Sequence, residues 1–339
     1  MTMANTLRTI VRFLLGNKDA IQRIAASKPA LWASLVFVLS AGLAREYDGE
    51  YLLAEPWHFL RPIGASFASG TVLFLLVHPW IRSSLKPDQL PVSIGIAYRR
   101  FMTCYWMTAP LALLYAIPYE RFMSPADAVR MNLLTLAIVA AWRVLLITRV
   151  ASVLYKTNYT AMFFIVMLFA DAVAWAVVTY IPAPVMDFMG GVQHTERDAI
   201  LASATFNIQI LSFLSAPVWV IGALIAMNSA RRVAITLPNS ALRPNRSWRT
   251  IAAASLLIWI PPLLIAQPEQ ARRHAVMQHF EADNIPAALD ELSKYERRDL
   301  PLRWELPPRL GYREHFPRLG DIRLAIDSQQ TAAWVASEY

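Results

Sequence analysis

The sequence predicts an all-α polytopic membrane protein, a bundle of about seven transmembrane helices followed by a small, mainly helical C-terminal tail. Three observations predict it. The 339 residues are 56% hydrophobic and only 17% charged, where soluble domains carry roughly 25% charged residues. Seven apolar stretches punctuate the chain. Sixteen of the 32 Lys and Arg residues are confined to four short segments, and these alternate with acidic ones.

The apolar stretches are 29–44, 62–81, 101–119, 131–150, 159–181, 200–230 and 251–266. A helix needs about 20 mainly apolar residues to cross a bilayer. The first and last are short and call on flanking residues or local thinning. Pro110, Pro217 and the Pro261–Pro262 pair lie inside stretches, which spanning helices tolerate when neighbours satisfy the freed carbonyls.

Orientation follows from charge. Residues 1–28 carry Arg8, Arg12, Lys18, Arg23 and Lys28, and the segments 82–100, 149–158 and 230–249 are basic as well. The alternate segments 45–61, 120–130 and 182–199 hold five basic residues against nine acidic ones, Glu46 and Asp48 among them. Basic loops stay cytoplasmic. The expected location is the cell (inner) membrane, with the N-terminus cytoplasmic and the C-terminus extracytoplasmic. The net charge of +8 then reflects loop retention and contact with anionic membrane lipids, and no nucleic-acid partner is expected. A rival reading makes the first stretch a signal peptide cut after Ala-Gly-Leu-Ala at 41–44, but the basic region ahead of it is too long for one.

Three regions result. Residues 1–28 read as an amphipathic helix in the inner-leaflet interface, with Leu7, Ile10, Val11, Leu14, Leu15, Ile21 and Ile24 at helical spacing. Residues 29–266 form the bundle. Residues 267–339 form the tail. Trp57, Trp80, Tyr119 and Tyr180 at the ends of stretches read as interfacial anchors.

Catalytic and metal patterns are missing. Cys104 is the single cysteine, so there is no internal disulfide and no zinc spacing. His58 and His78 flank opposite ends of the second stretch, about 30 Å apart at helical rise, which argues against haem. Neither a phosphate-binding glycine loop nor a His-Glu-x-x-His motif occurs. Ser69 fails the rhomboid-protease pattern, because Phe67 stands where glycine is required and no later stretch holds a histidine. No enzyme activity, cofactor or metal is expected. The small residues Ala65/Ser69 and Ser66/Gly70, four apart, instead predict close helix packing.

Ionisable groups inside a bilayer are costly and often functional. Asp171 is placed in the outer half of the fifth stretch. Asn207 and Gln209 of the sixth fall at similar depth by helical rise, so the three form a candidate intramembrane polar cluster. Arg143 lies deeper, as a snorkelling residue or a weaker partner. The cluster reads either as glue between helices or as part of a solute pathway.

The tail's 73 residues hold ten basic and twelve acidic groups. Pro268 is expected to open a helix containing Ala275, Val276 and Phe280. Pro286 opens another, with Ala288, Leu289, Leu292 and Tyr295 on one face. One such hairpin cannot bury both of its faces. The segment 300–319, with Pro301, Pro307, Pro308 and Pro317 among Trp304, Tyr312 and Phe316, is expected to wrap against it. A last helix is expected in 321–338, striped by Ile322, Ile326 and Ala333. The function expected is that of a non-enzymatic assembly or scaffold component presenting a partner-binding tail. The alternative is a small transporter or channel using Asp171, Asn207 and Gln209.

Overall fold

The computed structural model describes residues 2–49, 51–54, 56–82, 93–179, 196–229, 246–296, 299–300, 319–328 and 331–338, and every regular element among them is helical. Two short helices open the chain, α1 (Met3–Leu14) and α2 (Lys18–Ala26). The bundle comprises α3 (Lys28–Glu46), α4 (Trp57–Arg82), α5 (Ile94–Trp106), α6 (Pro125–Tyr155), α7 (Tyr159–Thr179), α8 (Glu196–Ser229), α9 (Arg246–Leu257) and α10 (Ile260–Glu281). The tail adds α11 (Ile285–Ser293), α12 (Leu319–Ser328) and α13 (Ala333–Glu338).

Among the described residues, six helical segments are long and apolar enough to cross a membrane: Leu60–Pro79, Ile94–Arg121, Pro125–Tyr155, Tyr159–Thr179, Ala199–Met227 and Arg246–Glu281. A seventh is reached only by joining α2 to α3, and these two meet at 99°.

The N-terminal region is two helices where one was expected. Gly16 breaks it, with φ of +74°, a conformation glycine adopts without a Cβ penalty. The Asn17 side chain then caps α2 by accepting the Ala20 N–H at 3.1 Å. One face of this pair packs on the chain itself. Phe13, Ile21 and Ile24 are fully buried. The Thr6 and Ser247 hydroxyls lie 2.8 Å apart, Trp142 Nε1 donates to the Leu14 carbonyl at 2.9 Å, and Arg149 Nε donates to the Gly16 carbonyl at 3.3 Å. The basic N-terminal helices thus sit at the end of the bundle that holds Arg149 and the start of α9. Asp48, Glu120 and Glu269 gather elsewhere, around the C-terminal end of α3.

Proline breaks two of the apolar segments and spares a third. Pro110 sits in the first turn of a 3₁₀ segment, Ala109–Ala116, that continues α5 after a turn at Met107–Thr108. Pro261 and Pro262 occupy the first turn of α10, so α9 ends before them at Leu257. Two adjacent prolines remove two successive N–H donors, which one helix cannot absorb. Pro217 stands alone inside an unbroken α8. Ser40 of α3 repairs the second break. Its hydroxyl donates to the Ser255 carbonyl at 2.6 Å and accepts from Trp259 Nε1 at 2.8 Å, so two buried polar groups find partners at a single side chain.

The boundary drawn at 266/267 falls inside α10. Pro268 does not open a helix; it lies within α10, which runs on into the tail. The chain reverses at Asp283, in the left-handed region at φ 56°. Asn284 then caps α11 by accepting the Ala287 N–H at 3.2 Å. Val276 and Phe280 of α10 and Ala288, Leu289 and Leu292 of α11 form one core with Leu300, Ile322 and Val335. The open face of the hairpin is therefore covered by α12 and α13. Trp334 Nε1 donates to the Tyr295 carbonyl at 3.1 Å and secures α13. Ala333 is exposed, and Val335 fills the core position. The proline-rich stretch with Trp304, Tyr312 and Phe316, the Trp80 side chain and Tyr180 lie outside the described residues. Tyr119 is buried, with its hydroxyl 3.0 Å from that of Thr135, and Trp57 is exposed.

Candidate functional site

Asp171 lies at the α7–α8 interface, half-buried, and accepts the Ser215 hydroxyl at 3.2 Å. Asn207 and Gln209 are exposed on α8. The register of the two helices explains why they are apart. Phe164 packs on Gly222, Asp171 meets Ser215, and each pair of positions is separated by seven residues, or two antiparallel turns. Continued in that register, Asn207 comes level with Thr179, about 12 Å along the axis from Ser215 at 1.5 Å per residue. The face of α8 turned toward α7 carries Ser215 and Gly222, with Trp219 between them against Phe163 and Phe164, and the small residues Ser212, Ala223 and Ala226 are buried along the same helix. Small residues let helix backbones approach closely.

Arg143 does not meet Asp171. Its guanidinium stands 5.8 Å from the centre of the Tyr105 ring, a cation–π arrangement. Tyr105 also joins the small-residue stripe of α4. The Ser69 hydroxyl lies 2.7 Å from the Ala65 carbonyl oxygen and 2.8 Å from the Tyr105 hydroxyl. A Cβ added at Gly70 would come within 2.9 Å of Met102 and Tyr105. Ser66 is half-buried and Ala65 is exposed. Ser69, Gly70, Tyr105 and Arg143 thus form one connected polar and aromatic thread from α4 through α5 to α6.

A third polar group, unforeseen in the sequence, closes the end of α3. The last carbonyls of a helix have no partners within it. Here two glutamines of α10 supply them. Gln267 Nε2 donates to the Tyr47 carbonyl at 2.9 Å, and Gln270 Nε2 donates to the Asp48 carbonyl at 2.7 Å. Gln267 Oε1 accepts the Leu52 N–H at 2.9 Å. Tyr47 donates its hydroxyl to the Ala116 carbonyl at 3.1 Å. Arg121 forms a two-pronged pair with Glu269, at 2.7 and 3.3 Å, a geometry that fixes orientation as well as charge. Residues from three separate parts of the sequence meet here, and the signal that marks them, three amides and carboxylates immediately after an apolar run (Gln267, Glu269, Gln270), is too common to single them out.

Burial in this group pushes the Asp48 carboxyl up to about 6, with the Glu120 carboxylate adding to the rise and Arg121 opposing it. The Tyr47 phenol is raised as well, by burial first and then by Asp48. The folded state therefore holds the Asp48 proton more tightly than the unfolded chain does. That preference favours folding below about pH 4 and is lost as pH rises through 6. A displacement of this size corresponds to on the order of 2–3 kcal/mol, reduced by solvent at a half-buried rim to about 1–2. Asp48→Asn is expected to raise the melting temperature in mild detergent at pH 8 and to leave it unchanged at pH 4; thermal scans across that range check it.

Among the described residues, no three His, Cys, Asp or Glu side chains come together in a way that would hold a metal. Cys104 is fully buried. The fold and these sites define the class only broadly: among the described residues the protein is all-helical, with six helices of membrane-crossing length and composition. No known protein family matches the chain, and neither a curated protein nor a solved structure does.

Proposed function

We propose that the chain is a multi-pass protein of the cell membrane, with a cytoplasmic N-terminus, and that it is a non-enzymatic assembly component holding a folded tail outside the cytoplasm for a protein partner. The observation that carries this reading is the mounting of the tail. Its hairpin has its own core, it continues α10 without a break, and it is locked at its base by Gln267, Gln270 and the Arg121–Glu269 pair. A module fixed in this way is suited to presenting a surface. The division of charge, with basic residues gathered around α1 and α2 and acidic ones at the foot of the tail, supports the orientation. The transporter reading has less support. Asp171 has one hydroxyl partner at a helix interface, and Arg143 is engaged elsewhere.

Copurification from mild detergent is the test. The full chain is expected to retain a stoichiometric partner, and Leu289→Asp, which disrupts the tail core, is expected to lose it. Absence of any partner, together with solute flux in reconstituted vesicles that disappears in Asp171→Asn, would overturn the proposal in favour of transport. A reporter fused after Tyr339 that proved cytoplasmic would overturn the orientation.

A further inference from the structure

Between α1 and α2 lies a cavity of about 310 Å³ whose charged lining is Arg8, Arg12, Arg23 and Asp19, with Asn5, Thr9, Asn17 and Ala20 completing the wall. Three arginines and one aspartate thus line the same space. Among the described residues, none of the three guanidinium groups has an ion-pair or hydrogen-bond partner. Arg8 and Arg12 are four apart on one helix, where like charges repel by a few tenths of a kcal/mol. Helix polarity accounts for Arg12 and Arg23, each in the last turn of its helix. It does not account for Arg8, nor for the convergence of all three on one space. Asn17 spends its carbonyl oxygen on the α2 cap, which leaves its amide N–H groups as further donors.

We propose that this cavity is a binding site for a phosphate group, with Arg8, Arg12 and Arg23 as its cations. Guanidinium forks match phosphate oxygens in pairs. A second feature of α1 indicates where the phosphate comes from. Met3, Leu7 and Val11, four apart, form an exposed apolar stripe on the same helix, and Leu15 extends it. At 100° per residue, Arg8 and Arg12 follow Leu7 and Val11 directly round the helix. A helix with an apolar stripe beside a cationic one lies in the membrane interface with its cations at headgroup level. A lipid headgroup with a free phosphomonoester, which carries no choline cation to compete with the arginines, is thus the favoured source, and a free phosphate compound the other.

The test uses the full chain in mild detergent, with affinity measured by thermal shift for three probes: short-chain phosphatidic acid, short-chain phosphatidylcholine and inorganic pyrophosphate. Phosphatidic acid is expected to bind at least tenfold more tightly than phosphatidylcholine. Arg12→Gln and Arg23→Gln are each expected to weaken it about tenfold, while Lys28→Gln, a basic residue outside the cavity, changes nothing. These arginines are exposed, so the variants keep their fold, and an unchanged melting temperature without probe checks this. Pyrophosphate binding as tightly as phosphatidic acid, with the same arginine dependence, upholds the phosphate site and assigns it a soluble ligand. Equal binding of the two lipids, or an equal loss with Lys28→Gln, would overturn the proposal.

Discussion

Gly222→Ala is expected to destabilise the protein, while the same change at Gly64 stabilises it. In a helix, alanine is favoured over glycine by about 0.8–1 kcal/mol. At Gly64 nothing lies within 4 Å of an added Cβ, so that intrinsic gain is realised. At Gly222 the new methyl would enter the Phe164 ring, coming within 2.7 Å even of Cγ. The ring cannot simply swing aside, because it also packs against Phe163 and Trp219, with centroids 6.3 and 6.2 Å away. Overpacking of this kind costs about 1–3 kcal/mol. The α7–α8 contact would open at that level, two turns from the Asp171–Ser215 hydrogen bond. Thermal denaturation of the two variants in the same detergent compares them directly. Phe164→Ala in the Gly222→Ala background should recover part of the loss, and a melting temperature that rises equally in both glycine variants would refute the close approach.

The second large effect is expected at Leu289. It is 1% exposed in the tail core, among Val276, Phe280 and Ile322. Truncating a buried leucine to alanine costs about 2–5 kcal/mol, depending on how far the cavity collapses. This core is small, so a loss of that size removes most of its stability. Leu289→Ala is expected to abolish hydrogen-exchange protection in α11 while leaving α6 and α7 protected. Leu324 of α12 is 70% exposed, and Leu324→Ala should shift stability by less than about 0.5 kcal/mol. Equal effects from the two leucines would contradict the packing described.

The helical class was legible because apolar runs of this length leave few alternatives, and charge alternation separated them. What stayed hidden was whatever depends on pairing between runs. Asn207 and Gln209 were grouped with Asp171 by depth measured from the ends of the runs, and an end misplaced by two turns moves a residue by about 11 Å. The small residues Ser212, Ser215, Gly222, Ala223 and Ala226 are present in the letters, but in a run that also holds Asn207 and Gln209 the amides are the more conspicuous polar signal. Prolines were ambiguous for a physical reason. A lone proline leaves one carbonyl without a donor and neighbours can compensate, as at Pro217, whereas the Pro261–Pro262 pair exceeds what a continuous helix bears. The hairpin's covering by α12 and α13 was hidden because short amphipathic helices announce an apolar face without naming its partner.

The unbroken course of α10 has a geometrical consequence. From Gln267 to Glu281 it contributes 15 residues, about 22 Å of rise. A flexible linker of equal length would have nearly the same root-mean-square reach, about 21 Å, but would spread it over all directions. The helix converts that diffuse cloud into a single height and a single heading. A body bound to the hairpin would be held at one distance from the bundle with one side facing it, and a force applied to that body would arrive at the Arg121–Glu269 pair as a turning moment rather than be lost in slack.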